Sequence, residues 1–244
     1  MTFTVKLADM HIQIESKYPE LEIFCKDYII EGATPDFCVS WTEEEIWAEK
    51  EYETTTDFTP AYLETLTTLR KISEILPMHN RLLIHGAAIT LDDTAYLFTA
   101  PSGTGKSTHI RLWRKHLGDR VDIVNGDKPF VSLDCDESGK LQPRIYGTPW
   151  AGKERWQKNR NAPLGGICFL CRGKENKIRK LAPSECLTML FNQVYLPKDT
   201  HTAQLTLALI DQLIQSIPLY LLECDISEDA VKCSFEGMTG LKYE

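Results

Sequence analysis

The sequence predicts a mixed α/β fold organised around one strand–loop–helix stretch. Three observations predict it. Ala95-Tyr96-Leu97-Phe98-Thr99 reads as a buried strand, Ala100 to Thr108 as a glycine-containing loop with Lys-Ser near its end, and Ile110, Trp113 and Leu117 as the apolar stripe of a helix. Elsewhere, short apolar runs alternate with stretches of helical period. An Asp92-Asp93 turn joins the loop's strand to the apolar strand before it, so the two are antiparallel and the sheet is mixed.

Taken in order, residues 2–15 alternate as a strand or hairpin, and Leu21 to Ile30 reads as a short helix. Phe37 to Trp41 is a strand. Glu43-Glu44-Glu45 and the polar stretch 48–57 read as exposed connections. Thr59 caps a helix with Pro60 at its first position, Leu66, Leu69, Ile72 and Leu76 as its stripe and Pro77 at its end. Leu82 to Ile89 reads as one apolar strand interrupted by His-Gly. The loop helix ends near Gly118, and Val121 to Val124 is the next buried strand. Phe130 to Leu133 and Leu141 to Tyr146 form a hairpin. Gly166 to Leu170 and Lys177 to Leu181 are further strands. One helix starts at Ser184, and Leu205, Leu209, Leu213 and Ile217 mark a second, longer one. Leu219 to Leu222 is a strand, and a last helix from Ser227 ends at Gly240. Residues 1–77 carry no catalytic constellation and read as an N-terminal α+β lobe or an extension of the sheet. Residues 78–244 read as the P-loop domain. There is no internal repeat.

Of the 244 residues, 43% are hydrophobic, enough for a substantial core, and the net charge of −8 disfavours a nucleic-acid scaffold. No run resembles a signal peptide or a membrane span, and eight scattered cysteines read as reduced thiols, so a cytoplasmic location is expected. Cys168 and Cys171 match a C-x-x-C spacing but fall in a strand, on opposite faces, and read as structural. Arg111, Arg114 and Lys115 fall on the polar face of the loop helix.

The loop carries the chemistry. Gly103 and Gly105 let backbone N–H groups of Ser102 to Thr108 converge on one anion, helped by the positive end of the following helix. Lys106 reaches terminal phosphates and the Ser107 hydroxyl can bind Mg²⁺. Asp127, beyond the next strand, can hold the same Mg²⁺ or accept a proton from an incoming hydroxyl, although Asn125-Gly126-Asp127 is also a good turn sequence. His85 alone would read as a core histidine. Gly86 beside it admits a close backbone, and the neighbouring loop strand places His85 near a transferred phosphoryl group. Tyr146 to Arg155 reads either as a glycine-hinged lid, with Trp150 stacking on an acceptor and Lys153 and Arg155 meeting its charge, or as an ordinary surface loop with a half-buried tryptophan.

Arg81 to Gly86, the hairpin, Ser102 to Ser107 and Asp127 occur in the order of the HPr kinase/phosphorylase family, which the stretch 81–131 resembles. The Ser-Gly-Thr-Gly-Lys core also resembles ATP-dependent phosphoenolpyruvate carboxykinases. The resemblance implies a P-loop kinase core of mixed sheet and helices that binds ATP and Mg²⁺. It implies that Lys106 neutralises phosphate, Ser107 binds the metal, Asp127 is base or metal partner and His85 assists near the acceptor. Ala100 replaces the first loop glycine, and Asn125-Gly126-Asp127 leaves one carboxylate where the family has an acidic pair. Either Asp127 serves both tasks or Glu154 supplies the second carboxylate. The family's Glu-Ile-Arg-Gly signature has no counterpart.

The expected activity is transfer of the γ-phosphoryl group of ATP to a hydroxyl on a protein, a peptide or a small molecule. A nucleotide-binding regulatory module without turnover and a carboxykinase-like lyase are the alternatives. The partners are a nucleoside triphosphate and the acceptor, not nucleic acid or membrane, and a homo-oligomer stays open.

Overall fold

The computed structural model describes residues 1–52 and 58–243. The chain opens with a hairpin, β1 (Thr2–Leu7) and β2 (Met10–Glu15), turned by Ala8 and Asp9, both at positive φ. Helix α1 (Pro19–Cys25) follows, then β3 (Ile29–Ile30) and β4 (Phe37–Val39). The helix expected over Leu21 to Ile30 is thus shorter: it stops at Cys25, because Ile29 and Ile30 pair with Val5 and Thr4 in a register that local periodicity does not reveal.

The acidic run Glu43-Glu44-Glu45 is not a connection but the first turn of α2 (Glu43–Ala48). Thr42 accepts from the Glu45 N–H and Glu45 accepts from the Thr42 N–H, a reciprocal cap whose Thr-x-x-Glu signature stands in the sequence. Of the polar stretch 48–57, Glu49 is buried and holds Arg70 through two hydrogen bonds of 2.6 and 2.7 Å, against the exposed connection expected there. Residues 53–57 lie outside the described residues. Helix α3 (Pro60–Ile75) is capped by Thr59 with Pro60 first, as expected.

One carboxylate ties this region together. Glu64 on α3 is fully buried and accepts from the Lys17 N–H (2.6 Å), the Tyr18 N–H (3.1 Å) and the Trp41 indole (2.9 Å). Removing it leaves the buried Trp41 indole and two part-buried backbone N–H groups without their acceptor. Glu64→Ala is expected to lower unfolding free energy by about 3 kcal/mol or more, measured by urea titration.

The remaining elements are β5 (Arg81–Leu83), β6 (Ala87–Leu91), β7 (Thr94–Thr99), α4 (Lys106–Leu117), β8 (Val121–Asn125), β9 (Phe130–Ser132) and β10 (Arg144–Tyr146). Then come β11 (Asn161–Arg172), β12 (Lys177–Lys180), α5 (Pro183–Phe191), α6 (Thr200–Ser216), β13 (Leu219–Cys224) and α7 (Glu228–Thr239). Among the described residues the strands form a four-stranded sheet, β3-β1-β2-β4, and a nine-stranded one, β5-β9-β10-β11-β7-β6-β8 with β13 beside β11 and β12 beside β13. The second sheet is mixed: β11 runs parallel to β7 and β13, while β6 is antiparallel to both β7 and β8. The fold is mixed α/β, as the sequence predicts.

Leu82 to Ile89 is not one strand. β5 pairs with β9 at one end of the sheet, whereas β6 lies between β7 and β8 near the other. Between them, the Ile84 and His85 amides bond to Pro129 and Gln193 carbonyls instead of continuing a ladder. β11 is longer than its apolar centre suggests, exchanging β10 for β13 along one edge.

Each face of the large sheet has its own core. Helices α5 and α6 cover one, around Ile167, Phe169, Leu190 and Leu213. Helices α4 and α7 cover the other, around Phe98, Trp113, Cys168 and Phe235. A third core joins the small sheet and α3 to Leu83, Phe130, Tyr146 and Trp150 of the large sheet's margin. Cys168 is buried and Cys171 exposed, on opposite faces of β11. Among the described residues no helix is long and apolar enough to cross a membrane.

Candidate functional site

Strand direction assembles the site. Because β6 is antiparallel to both neighbours, β7 and β8 run the same way and end on the same edge, where β6 begins. Three chain segments therefore meet there: the loop after Thr99, the Asn125 to Lys128 turn after β8, and His85-Gly86 before β6. The carboxyl-terminal edge of parallel strands is where open α/β sheets place their ligands.

In the loop, Gly103 and Gly105 have φ of 77° and 124°, conformations that an L side chain resists. Gly105 precedes the first turn of α4, which begins at Lys106. Ser102 and Gly103 are exposed, and Thr104, Ser107 and Thr108 half-buried. Thr104 Oγ1 donates to the Pro101 carbonyl, whereas Ser107 and Thr108 make no side-chain hydrogen bond among the described residues. Lys106 is only 7% exposed and folds back so that Nζ donates to the Ala100 carbonyl at 2.9 Å. Burial, opposed by the Asp127 charge and reinforced by that of Lys128, holds its pKa below the usual lysine range.

Asp127 faces this lysine. His85 Nε2 lies 3.3 Å from its Oδ1 and Lys128 Nζ 4.0 Å from its Oδ2. Burial alone would raise the Asp127 pKa. The hydrogen bond with His85 and the charges of Lys128, His85 and Lys106 outweigh it, and the carboxyl sits below its ordinary value. His85 is fixed by its backbone, which donates to Gln193 and accepts from the Thr99 hydroxyl, while the Gly86 amide donates to the Asp127 carbonyl.

The turn that presents Asp127 depends on Asn125, which is fully buried. Its Oδ1 accepts from the Asp127 and Lys128 amides, both at 2.8 Å. Its Nδ2 donates to the Thr148 carbonyl and hydroxyl at 3.0 and 3.1 Å. The turn is therefore clamped to the next loop. Asn125→Ala is expected to cost about 2–4 kcal/mol in a denaturant melt and to displace Asp127.

These bonds correct the lid reading of residues 146–155. Thr148 is fully buried, and Trp150 is 6% exposed, with its indole donating to the Thr65 carbonyl at 2.8 Å and its ring packed on Phe24. Gly147 is no hinge: a Cβ there would fall 1.9 Å from the Lys158 carbonyl oxygen, so the position serves close packing. The first half of this loop is a fixed wall, and Trp150 has no free N–H to offer an acceptor. Lys153 and Arg155 are exposed and do line a cavity of about 950 Å³ with Asp127, Lys128 and Trp150, closed on the far side by α1 and α3. Glu154 is exposed, two residues beyond Gly152, whose added Cβ would lie 3.2 Å from the Asp127 Cβ.

Two cations at this edge escaped the sequence reading. Lys128 lines both the large cavity and a smaller one of about 300 Å³ beside His85. Its position next to Asp127 was the available signal. Arg172, at the end of β11, donates to the Gly103 and Thr104 carbonyls at 2.5 and 3.3 Å. Only the parallel pairing of β11 with β7 brings it to the loop, so no local pattern could announce it.

The edge offers donors suited to an anion: loop amides, Lys106, Lys128 and Arg172. It also offers hard oxygens suited to a small divalent cation, the Ser107 hydroxyl and the ionised Asp127. Mg²⁺ keeps several waters and shares substrate phosphates, so it asks for no more than one or two protein ligands.

No protein-family model matches the chain, and no curated protein does. Among solved structures it is similar to the Hpr(Ser) kinase/phosphatase from Coxiella burnetii, at 12% sequence identity over 65% of this chain and 93% of that one, with a TM-score of 0.34. A likeness of that size bears no weight in assigning an activity.

Proposed function

We propose that the chain is an ATP- and Mg²⁺-dependent phosphotransferase of the P-loop class acting on a hydroxyl. The observation that carries this is the convergence at one sheet edge of a Gly-x-Gly-Lys-Ser loop with two left-handed glycines, a buried lysine and an ionised aspartate hydrogen-bonded to histidine. The loop amides and Lys106 hold the triphosphate. Lys106 exchanges the Ala100 carbonyl for phosphate oxygens, and Arg172 and Lys128 lie close enough to share the charge. Mg²⁺ when bound neutralises charge between the phosphates, with Ser107 and Asp127 as its protein ligands.

The acceptor enters from the cavity that Asp127, Lys153 and Arg155 line. Its hydroxyl oxygen forms a bond to the γ-phosphorus, the bond to the bridging oxygen breaks, ADP departs and the hydroxyl proton passes to Asp127. His85 orients that carboxylate. Positioning and charge neutralisation supply most of the rate in such transfers.

The test is incubation with γ-labelled ATP, Mg²⁺ and cell extract, followed by mass spectrometry for new phosphorylated species. Label transfer supports the reading, and tight ATP binding without ADP release from any acceptor opposes it. That second outcome would mark a nucleotide-binding regulatory module, which the lone carboxylate beside Lys106 favours. ADP production that depends on oxaloacetate would mark a carboxykinase-like lyase.

A further inference from the structure

Positive charge gathers on the outer side of α4, away from the loop. Arg111, Arg114 and Lys115 are exposed there, and the segment after Gly152 sets Arg155 and Lys158 across from them around a depression of about 470 Å³ floored in part by Trp156. Among the described residues Asp122 is the carboxylate paired with these cations, and Asp92 and Asp119 line an adjoining depression with Arg114 and Lys158. Asp122 lies 2.6 Å from Lys158, 2.7 Å from Arg160 and 3.5 Å from Arg114. Among the described residues Arg111, Lys115 and Arg155 have no carboxylate partner. In a chain of net charge −8 this excess runs against the overall balance.

Its geometry says what it would hold. Arg114 and Lys158 are each about half exposed. Arg111 and Lys115 stand about 6 Å apart along the helix axis. Spread, solvated cations suit a string of carboxylates, which they attract and orient at long range. A single phosphate is better held by converging, desolvated donors of the kind found at the loop. The depression also adjoins the acceptor cavity, since Arg155 and Gln157 line both.

We propose that the basic face of α4 docks an acidic stretch of a polypeptide acceptor, next in its chain to the hydroxyl presented at Asp127. The proposal rests on the phosphotransferase reading and narrows the acceptor to acidic polypeptide.

The test uses the full chain, a fluorescent oligo-glutamate peptide, an oligo-glutamine peptide of equal length and an ATP analogue. The wild type is expected to bind the glutamate peptide more tightly than the glutamine one, and less so as salt rises. Arg114→Glu with Lys115→Glu is expected to weaken that binding at least about tenfold and leave ATP affinity unchanged. Should the double variant unfold by circular dichroism, Arg111→Gln reads the same face with less perturbation. Equal affinity for the two peptides, or undiminished binding by the variants, overturns the proposal. A parallel loss of ATP affinity overturns it too, because the face would then belong to the nucleotide. So does a salt-sensitive self-association in sedimentation that the double variant abolishes, which would assign the face to a second copy. Glutamate-peptide binding by a wild type that transfers no phosphoryl group would instead remove the phosphotransferase reading and leave the docking surface standing.

Discussion

Lys106→Met is expected to reduce phosphoryl transfer from ATP by about 10²–10³-fold or more while leaving the fold intact. The ammonium is the buried cation at the loop, and its environment already disfavours the charge: burial draws its pKa down, with the Asp127 charge opposing. A charge held in a poorly solvated site interacts strongly with a triphosphate that arrives there, and methionine keeps the volume while removing it. The folding cost is small, because the hydrogen bond to the Ala100 carbonyl is worth about 1 kcal/mol and a desolvated charge leaves with it. Transfer of label measures the first effect and a thermal melt the second. Undiminished transfer would falsify the proposed mechanism.

Asp127→Asn is expected to lower kcat by about 10²–10⁴-fold with a smaller change in ATP affinity. The amide retains the turn, which depends on the Asp127 N–H and the Asn125 side chain, not on the carboxylate. It loses the charge beside His85 and Lys106, and with it the proposed proton acceptor and proposed Mg²⁺ ligand. Single-turnover kinetics with saturating ATP separates the two effects. A pH melt adds an independent reading. The folded pKa of Asp127 lies below its ordinary 3.8, so its contribution to stability is complete above about that pH and is lost as pH falls through the folded value. The wild type should therefore lose more stability than the variant below pH 3.8. A variant with unchanged kcat would remove Asp127 from the reaction.

Much of the local structure was legible because it is local. Thr59-Pro60 caps α3, Ser227 caps α7 and Gly240 ends it, and each signal lies within a turn of what it controls. The helix at Glu43 was equally legible through its Thr-x-x-Glu cap, but three consecutive acids suggested a solvated connection instead. The split of Leu82 to Ile89 was not legible, since apolar runs carry no label for the neighbour they pair with. Trp150 illustrates the same limit at the site. Its loop is rich in glycine, as a lid would be, yet bonds to Thr65 and Asn125, distant in sequence, hold the wall closed.

By itself the sequence determined the Gly-Thr-Gly-Lys-Ser loop, its strand and helix, and the aspartate and histidine that stand as candidates beside it, because backbone conformation and capping respond to adjacent residues. The Asp92-Asp93 turn already makes β6 and β7 antiparallel, and only the tertiary structure decided that β8 pairs along the other side of β6, which puts His85, Lys106 and Asp127 at one edge. It alone carried Arg172 to the loop along β11. Strand order and direction are settled by burying several apolar faces at once, a balance over the whole chain that no short stretch of residues contains.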